Sequence, residues 1–201
     1  MFHDPSRAEL TLILREEDGQ AALPPFHILS DLTHPTEFHC RRAAADGVVT
    51  CFTLQDGGHA ATGRRRRFRE IRTRKRDHFP HVWQSINAAA LLSIVVDLDV
   101  WMDLAPVPAL PAVQRIDFII HAQSGETVHP PVNRAEWSPS LPMLDEVRFI
   151  NADDNDIAFD AGELEIFLGA LRSDTTPVPV VTFEHVSVIR AVGPATVSLQ
   201  S

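Results

Sequence analysis

The sequence predicts a β-rich α+β protein, and three observations carry that expectation. Fifteen prolines against nine glycines favour extended segments and fixed turns over a helix bundle. Several stretches alternate apolar and polar residues, with Ile116, Phe118 and Ile120 the cleanest case. Only one stretch carries strong helix signals. Antiparallel sheets in a sandwich or barrel-like arrangement are therefore expected, within a single domain spanning 1–201. A chain of 201 residues is long enough to bury roughly 70% of its unfolded surface.

Taken in order, residues 8–15 alternate as a first strand, and Pro24-Pro25 opens a second extended piece through Leu29. Residues 37–43 and 48–55 flank Ala44-Ala45-Asp46-Gly47, which reads as a β-hairpin turn. With those four residues as the loop, Cys40 stands directly opposite Cys51. Two small buried thiols are the expectation there. A zinc site using both cysteines with His34 or His39 is the sharper alternative, although the spacing fits no compact zinc motif.

Residues 82–92 contain Val82, Ile86 and Ala89/Ala90 at helical spacing. Ile94 to Leu104 then alternates as one long strand. That alternation puts Asp97, Asp99 and Asp103 on one face, where carboxylates suit a hard divalent cation. A solvated sheet face is the simpler expectation. Residues 113–122 and 145–150 are further strands. Between them, 129–142 is a Pro-rich loop holding Trp137, a candidate contact anchor. The acids after Phe149 do not fit a calcium loop in either possible frame. Asp160 with Glu163 forms a capping box. Leu164, Phe167, Leu168 and Leu171 follow at i, i+3, i+4 and i+7, so 161–172 is the secure helix. Residues 178–192 supply one or two closing strands. No internal repeat emerges from this reading.

The functional signal is the segment 64–76. Arg64, Arg65, Arg66, Arg67, Arg69, Arg72, Arg74, Lys75 and Arg76 are nine of the 18 basic residues, with Glu70 the one acid among them. The chain is −9 overall and this stretch is +8, so the other 188 residues carry −17. Solubility needs no such concentration of one sign. Arginine forks pair bidentately with phosphate or carboxylate, so a polyanion is the expected partner, nucleic-acid backbone first. Phe68 and Ile71, three apart, suggest a helix over 64–76, as an alternative to the helix over 82–92. The basic segment, 61–79, is expected to be mobile until a partner orders it. The acidic stretch 145–165, with eight acids against Arg148 alone, is the alternative target, in the same chain or a neighbouring copy. Trp137, Asp153, Asp154 and Asp156 are the candidate protein-contact residues.

No nucleophile elbow, phosphate-binding glycine loop, His-Glu-x-x-His or Cys-x-x-Cys is present. The expectation leans against an enzyme and names no cofactor. A metal-dependent site assembled from scattered His and Asp is the third alternative. The N-terminus lacks a basic region followed by an apolar core, and no apolar run approaches 20 residues. A cytoplasmic protein of a cell or a virus, with no membrane contact, follows as the expectation.

Overall fold

A computed structural model describes residues 8–13, 35–42, 50–56, 67–73, 79–104, 106–131, 139–153, 155–171 and 178–189. Among the described residues the chain forms eleven strands and few helices. The main sheet holds β1 (Ala8–Ile13), β2 (Pro35–Arg42), β3 (Thr50–Asp56), β4 (Arg67–Thr73), β5 (Ser93–Asp97), β6 (Arg115–Ile120), β8 (Glu146–Asn151) and β10 (Val180–Glu184). Its order is β1-β4-β3-β2-β5-β6-β8-β10. The second sheet holds β7 (Thr127–Val128), β9 (Ile157–Asp160) and β11 (Val186–Ile189), in the order β11-β9-β7. The helices are α1 (Phe79–Ser85) and α2 (Ala161–Ala170).

The expected antiparallel pairing holds only at β3, which runs against both β2 and β4. All other pairs are parallel. From β6 onward the strands alternate between the two sheets: β6, β8 and β10 in the main one, β7, β9 and β11 in the other. The chain therefore winds, and each turn lays one strand in each sheet. This is solenoid geometry, in which each coil is buried by its neighbour.

A repeat underlies the winding, contrary to the sequence reading. Leu110-Pro111, Val113, Ile116, Phe118 and Ile119 return 31 positions later as Leu141-Pro142, Leu144, Val147, Phe149 and Ile150. The strand register has the same offset, pairing Ile116 with Val147, Phe118 with Phe149 and Thr127 with Ala158. The backbone bonds repeat too: Asp145 N donates to Gln114 O at 2.9 Å, as Gln114 N does to Leu92 O. Inside the coils the phenylalanines stack. Phe118 and Phe149 lie 5.4 Å apart, Phe149 and Phe183 5.7 Å, with nearly parallel rings. Phe159 and Phe167 close on Phe149 and Phe118 edge-on. Offset and edge-to-face contacts of this kind add to simple burial.

The stretch expected as one strand from Ile94 to Leu104 breaks after Asp97. Val100 N donates to Asp97 O at 3.0 Å, and Trp101–Leu104 is a 3₁₀ turn. The same residues that alternate also repeat every three. Leu98, Trp101 and Leu104 are all buried, as the three-residue period of a 3₁₀ turn requires. The helix expected over 82–92 is α1 followed by a 3₁₀ turn at Ala88–Ala90. Asn87, at φ −78° and ψ 78°, separates the two.

Helix α2 matches its expectation. Asp160 accepts hydrogen bonds from Gly162 N at 2.9 Å and Glu163 N at 3.1 Å. Leu164, Phe167 and Leu171 are buried, and Leu168 packs partly against the core.

Candidate functional site

The expected helix over 64–76 is instead a strand where the structure describes it. Arg67–Thr73 pairs with β1 and β3. A helix would stack Arg65 on Arg69, Arg69 on Arg72 and Arg72 on Arg76, whereas a strand separates neighbours to opposite sides. Phe68 and Ile71 therefore do not share a face: Ile71 is level with Phe52, and Phe68 with Gln55. Arg67, Arg69 and Arg72 sit in β4. Arg64, Arg65, Arg66, Arg74, Lys75 and Arg76 lie outside the described residues, as do Trp137 and Asp154. Asp153 and Asp156 are exposed in the turn between β8 and β9. The acidic stretch is partly used internally, since Asp160 caps α2 and the Glu163 carboxylate binds His129 Nδ1 at 2.6 Å.

Cys40 and Cys51 are not cross-strand partners. Cys40 pairs with Phe52, and Cys51 with Arg41. This register differs by one residue from that of a four-residue loop, and one residue sends a side chain to the opposite face. Cys40 is buried, and Cys51 half-buried with Sγ 3.6 Å from Thr53 Oγ1. Burial, and then the charge of Asp97, pushes the Cys40 thiol well above its usual range. In the native protein a thiol reagent is expected to label Cys51 and to reach Cys40 only on unfolding. Equal labelling of both under native conditions would refute this placement.

The three aspartates proposed for a hard cation are not a ligand set. Asp97 is fully buried and accepts from Arg42 N at 2.6 Å, with Arg41 Nε at 3.4 Å and His121 Nε2 at 3.6 Å. Asp99 takes Arg42 Nε at 2.6 Å. Among the described residues no group of three or more His, Cys, Asp or Glu is placed to hold a metal.

The residues that do converge lie on the outer face of the parallel sheet. Side chains alternating with the core residues form a row across six strands: Thr53, His39, Val95, Asp117, Arg148 and Thr182. The neighbouring row carries Glu37, Ser93, Arg115 and Glu146. His39 Nε2 binds Glu37 Oε1. At the centre, Asp117 is buried between two arginines. Arg115 Nε is 3.4 Å from its Oδ1, and Arg148 is 3.8 Å from its Oδ2. Arg148 also reaches Glu184 at 3.5 Å. Asp117 Oδ1, Arg115 Nε and Thr182 Oγ1 are buried without a hydrogen-bond partner. Unsatisfied buried polar atoms are costly, and these three lie on β6 and β10, on either side of β8.

Burial raises the Asp117 carboxyl above its ordinary value, against the opposing pull of Arg115 and Arg148. The fold therefore holds that proton to higher pH than the unfolded chain does. The resulting stability is present at low pH and is lost as pH rises through the raised value. Asp117→Asn removes this penalty. Its urea midpoint is expected to gain on wild type as pH rises above the ordinary carboxylate range of about 4. A gap that stays constant as pH rises from acid to neutral would refute the assignment.

The sequence reading missed Arg115, Asp117, Arg148 and Thr182. The available signal was the 31-residue repeat, which places Asp117 and Arg148 in equivalent positions between paired core residues. A groove of about 480 Å³, lined by Leu164, Leu168, Val178 and Val181 with Glu165 at its side, lies between α2 and the last coil. Among the described residues no helix is long and apolar enough to cross a membrane. No family model matches the chain, and neither a curated protein nor a solved structure is significantly similar to it.

Proposed function

We propose that the chain is a non-catalytic binding component of a larger complex, which receives a protein partner across the outer face of its parallel sheet. The observation that carries this reading is the Asp117 patch. A regular solenoid places equivalent side chains side by side, and such faces serve as extended binding surfaces. Here the face combines paired charges of both signs with buried polar atoms that lack partners. A docking protein excludes water from ion pairs that count for little while solvated. The test is a photo-crosslinking residue introduced at position 146 or 182, with position 153 as control, in the cells that make the protein. One discrete adduct from the sheet positions and none from the control supports the reading. Equal crosslinking from all three removes it.

A second reading rests on the concentration of basic residues in 64–76. A polyanion, nucleic-acid backbone foremost, binds this segment with little sequence preference. Binding then falls steeply with salt, by about 0.9 logarithmic units per duplex phosphate neutralised for each tenfold rise in salt. Fluorescence anisotropy with labelled oligonucleotides tests it on wild type and an Arg64–Arg67→Ala variant. The variant should flatten the salt slope, and an unchanged slope ends this reading.

A further inference from the structure

We infer that a second copy of this chain docks head-to-tail on the open β10/β11 end, laying its β1 beside β10 to continue the main sheet. Among the described residues, β10 pairs only with β8 and β11 only with β9. The last coil keeps the repeat's apolar residues, and among the described residues no further strand covers them. Phe183 is 39% exposed, whereas its register partner Phe149 is fully buried. Val188 is 43% exposed, whereas its partner Phe159 is fully buried. Val178, Val180 and Ile189 are also exposed, so an apolar patch and an unpaired strand edge coincide.

Strand direction and charge select the occupant. β1 is the opposite edge and pairs only with β4 among the described residues. Tracing pair by pair across the sheet, only β3 is reversed, so β1 and β10 run the same way. A translation along the sheet therefore brings β1 of a second copy alongside β10 in the parallel sense of every pair from β2 to β10. A two-fold contact between two β10 edges would pair them antiparallel instead. One strand in from β1 stands β4, carrying Arg67, Arg69 and Arg72 against Glu70. At the other end Glu184 is half-exposed on β10 and Glu165 borders the adjoining groove. The two ends attract, and like ends repel. A contact of this type is heterologous and does not close on itself at two copies.

The experiment is sedimentation velocity on the whole chain from micromolar to near-millimolar concentration, at low salt and at about 1 M, where charges are screened beyond about 3 Å. Wild type should grow from the 22.3 kDa single chain through successive multiples at low salt, with association at least about tenfold weaker at high salt. Val180→Glu combined with Val188→Glu changes two exposed side chains and should abolish growth. Leu92→Glu, as exposed as Val188 but beside β5, three strands from the β10 edge, should assemble like wild type. Hydrogen exchange on the wild type alone adds an independent measure: amides of 8–13 and of 180–189 should slow together with concentration. A chain that stays single at every concentration overturns the inference and leaves a foreign strand as the occupant of the edge. A mass that stops at two copies, or protection of only one of the two edges, overturns it equally.

Discussion

Phe149→Ala is expected to destabilise the protein by about 4 kcal/mol, within the range for truncating a fully buried phenylalanine. The ring is completely buried and stands at the junction of the coils. It stacks on Phe118 and Phe183 and takes Phe159 edge-on at 5.1 Å. Removing it opens a cavity and also breaks aromatic pairs worth about 0.5–1.5 kcal/mol each beyond burial. In a chain of this size each kcal/mol lowers the melting temperature by about 2–4 °C, so a fall of roughly 8–16 °C should accompany it. Urea unfolding followed by circular dichroism measures the effect. Phe183→Ala is the internal comparison. Its ring touches the same neighbour but is partly exposed, so its loss should be less than half as large. Equal losses at the two positions would mean that Phe183 is buried as deeply as Phe149.

Asp97→Ala is expected to cost about 3 kcal/mol, because a fully buried carboxylate accepts a short hydrogen bond from a backbone N–H and faces an arginine. It ties the end of β5 to the end of β2, where the hairpin at the sheet's N-terminal side joins the solenoid coils. Asp97→Asn keeps an oxygen for Arg42 N but gives up the charge, and should cost about half as much. The two variants together separate the roles. If Asn and Ala cost the same, the charge carries the contact; if Asn costs nothing, the hydrogen bond does. Alanine at 97 within about 0.5 kcal/mol of wild type would mean that Asp97 does not join these two strands.

Local signals in the chain settle the elements whose physics is local. Asp160 capping α2, the apolar stripe Leu164–Leu171, and the alternation at Ile116–Ile120 all act within a few residues, and each appears where its pattern places it. The β-rich character follows from the same kind of signal. Strand partners do not. Period-2 alternation reads alike in parallel and antiparallel pairs, so the expectation of antiparallel sheets was met only at β3. Phe68 and Ile71 illustrate the limit further. Their spacing fits a helix face, but the edges of β1 and β3 capture the segment as a strand, and tertiary pairing overrides a weak local preference.

The amino-acid order alone therefore establishes the charge segregation, the helix expected at 161–172 and its cap, and the apolar positions that became core. Tertiary structure decided the winding of the coils, the one-residue register that parts Cys40 from Cys51, and the outer face on which Asp117 meets Arg115 and Arg148. The reason is the range of the forces involved. Capping and amphipathic packing are specified within one turn of chain. Asp117 and Arg148 lie 31 positions apart and become neighbours only because successive coils stack Phe149 on Phe118.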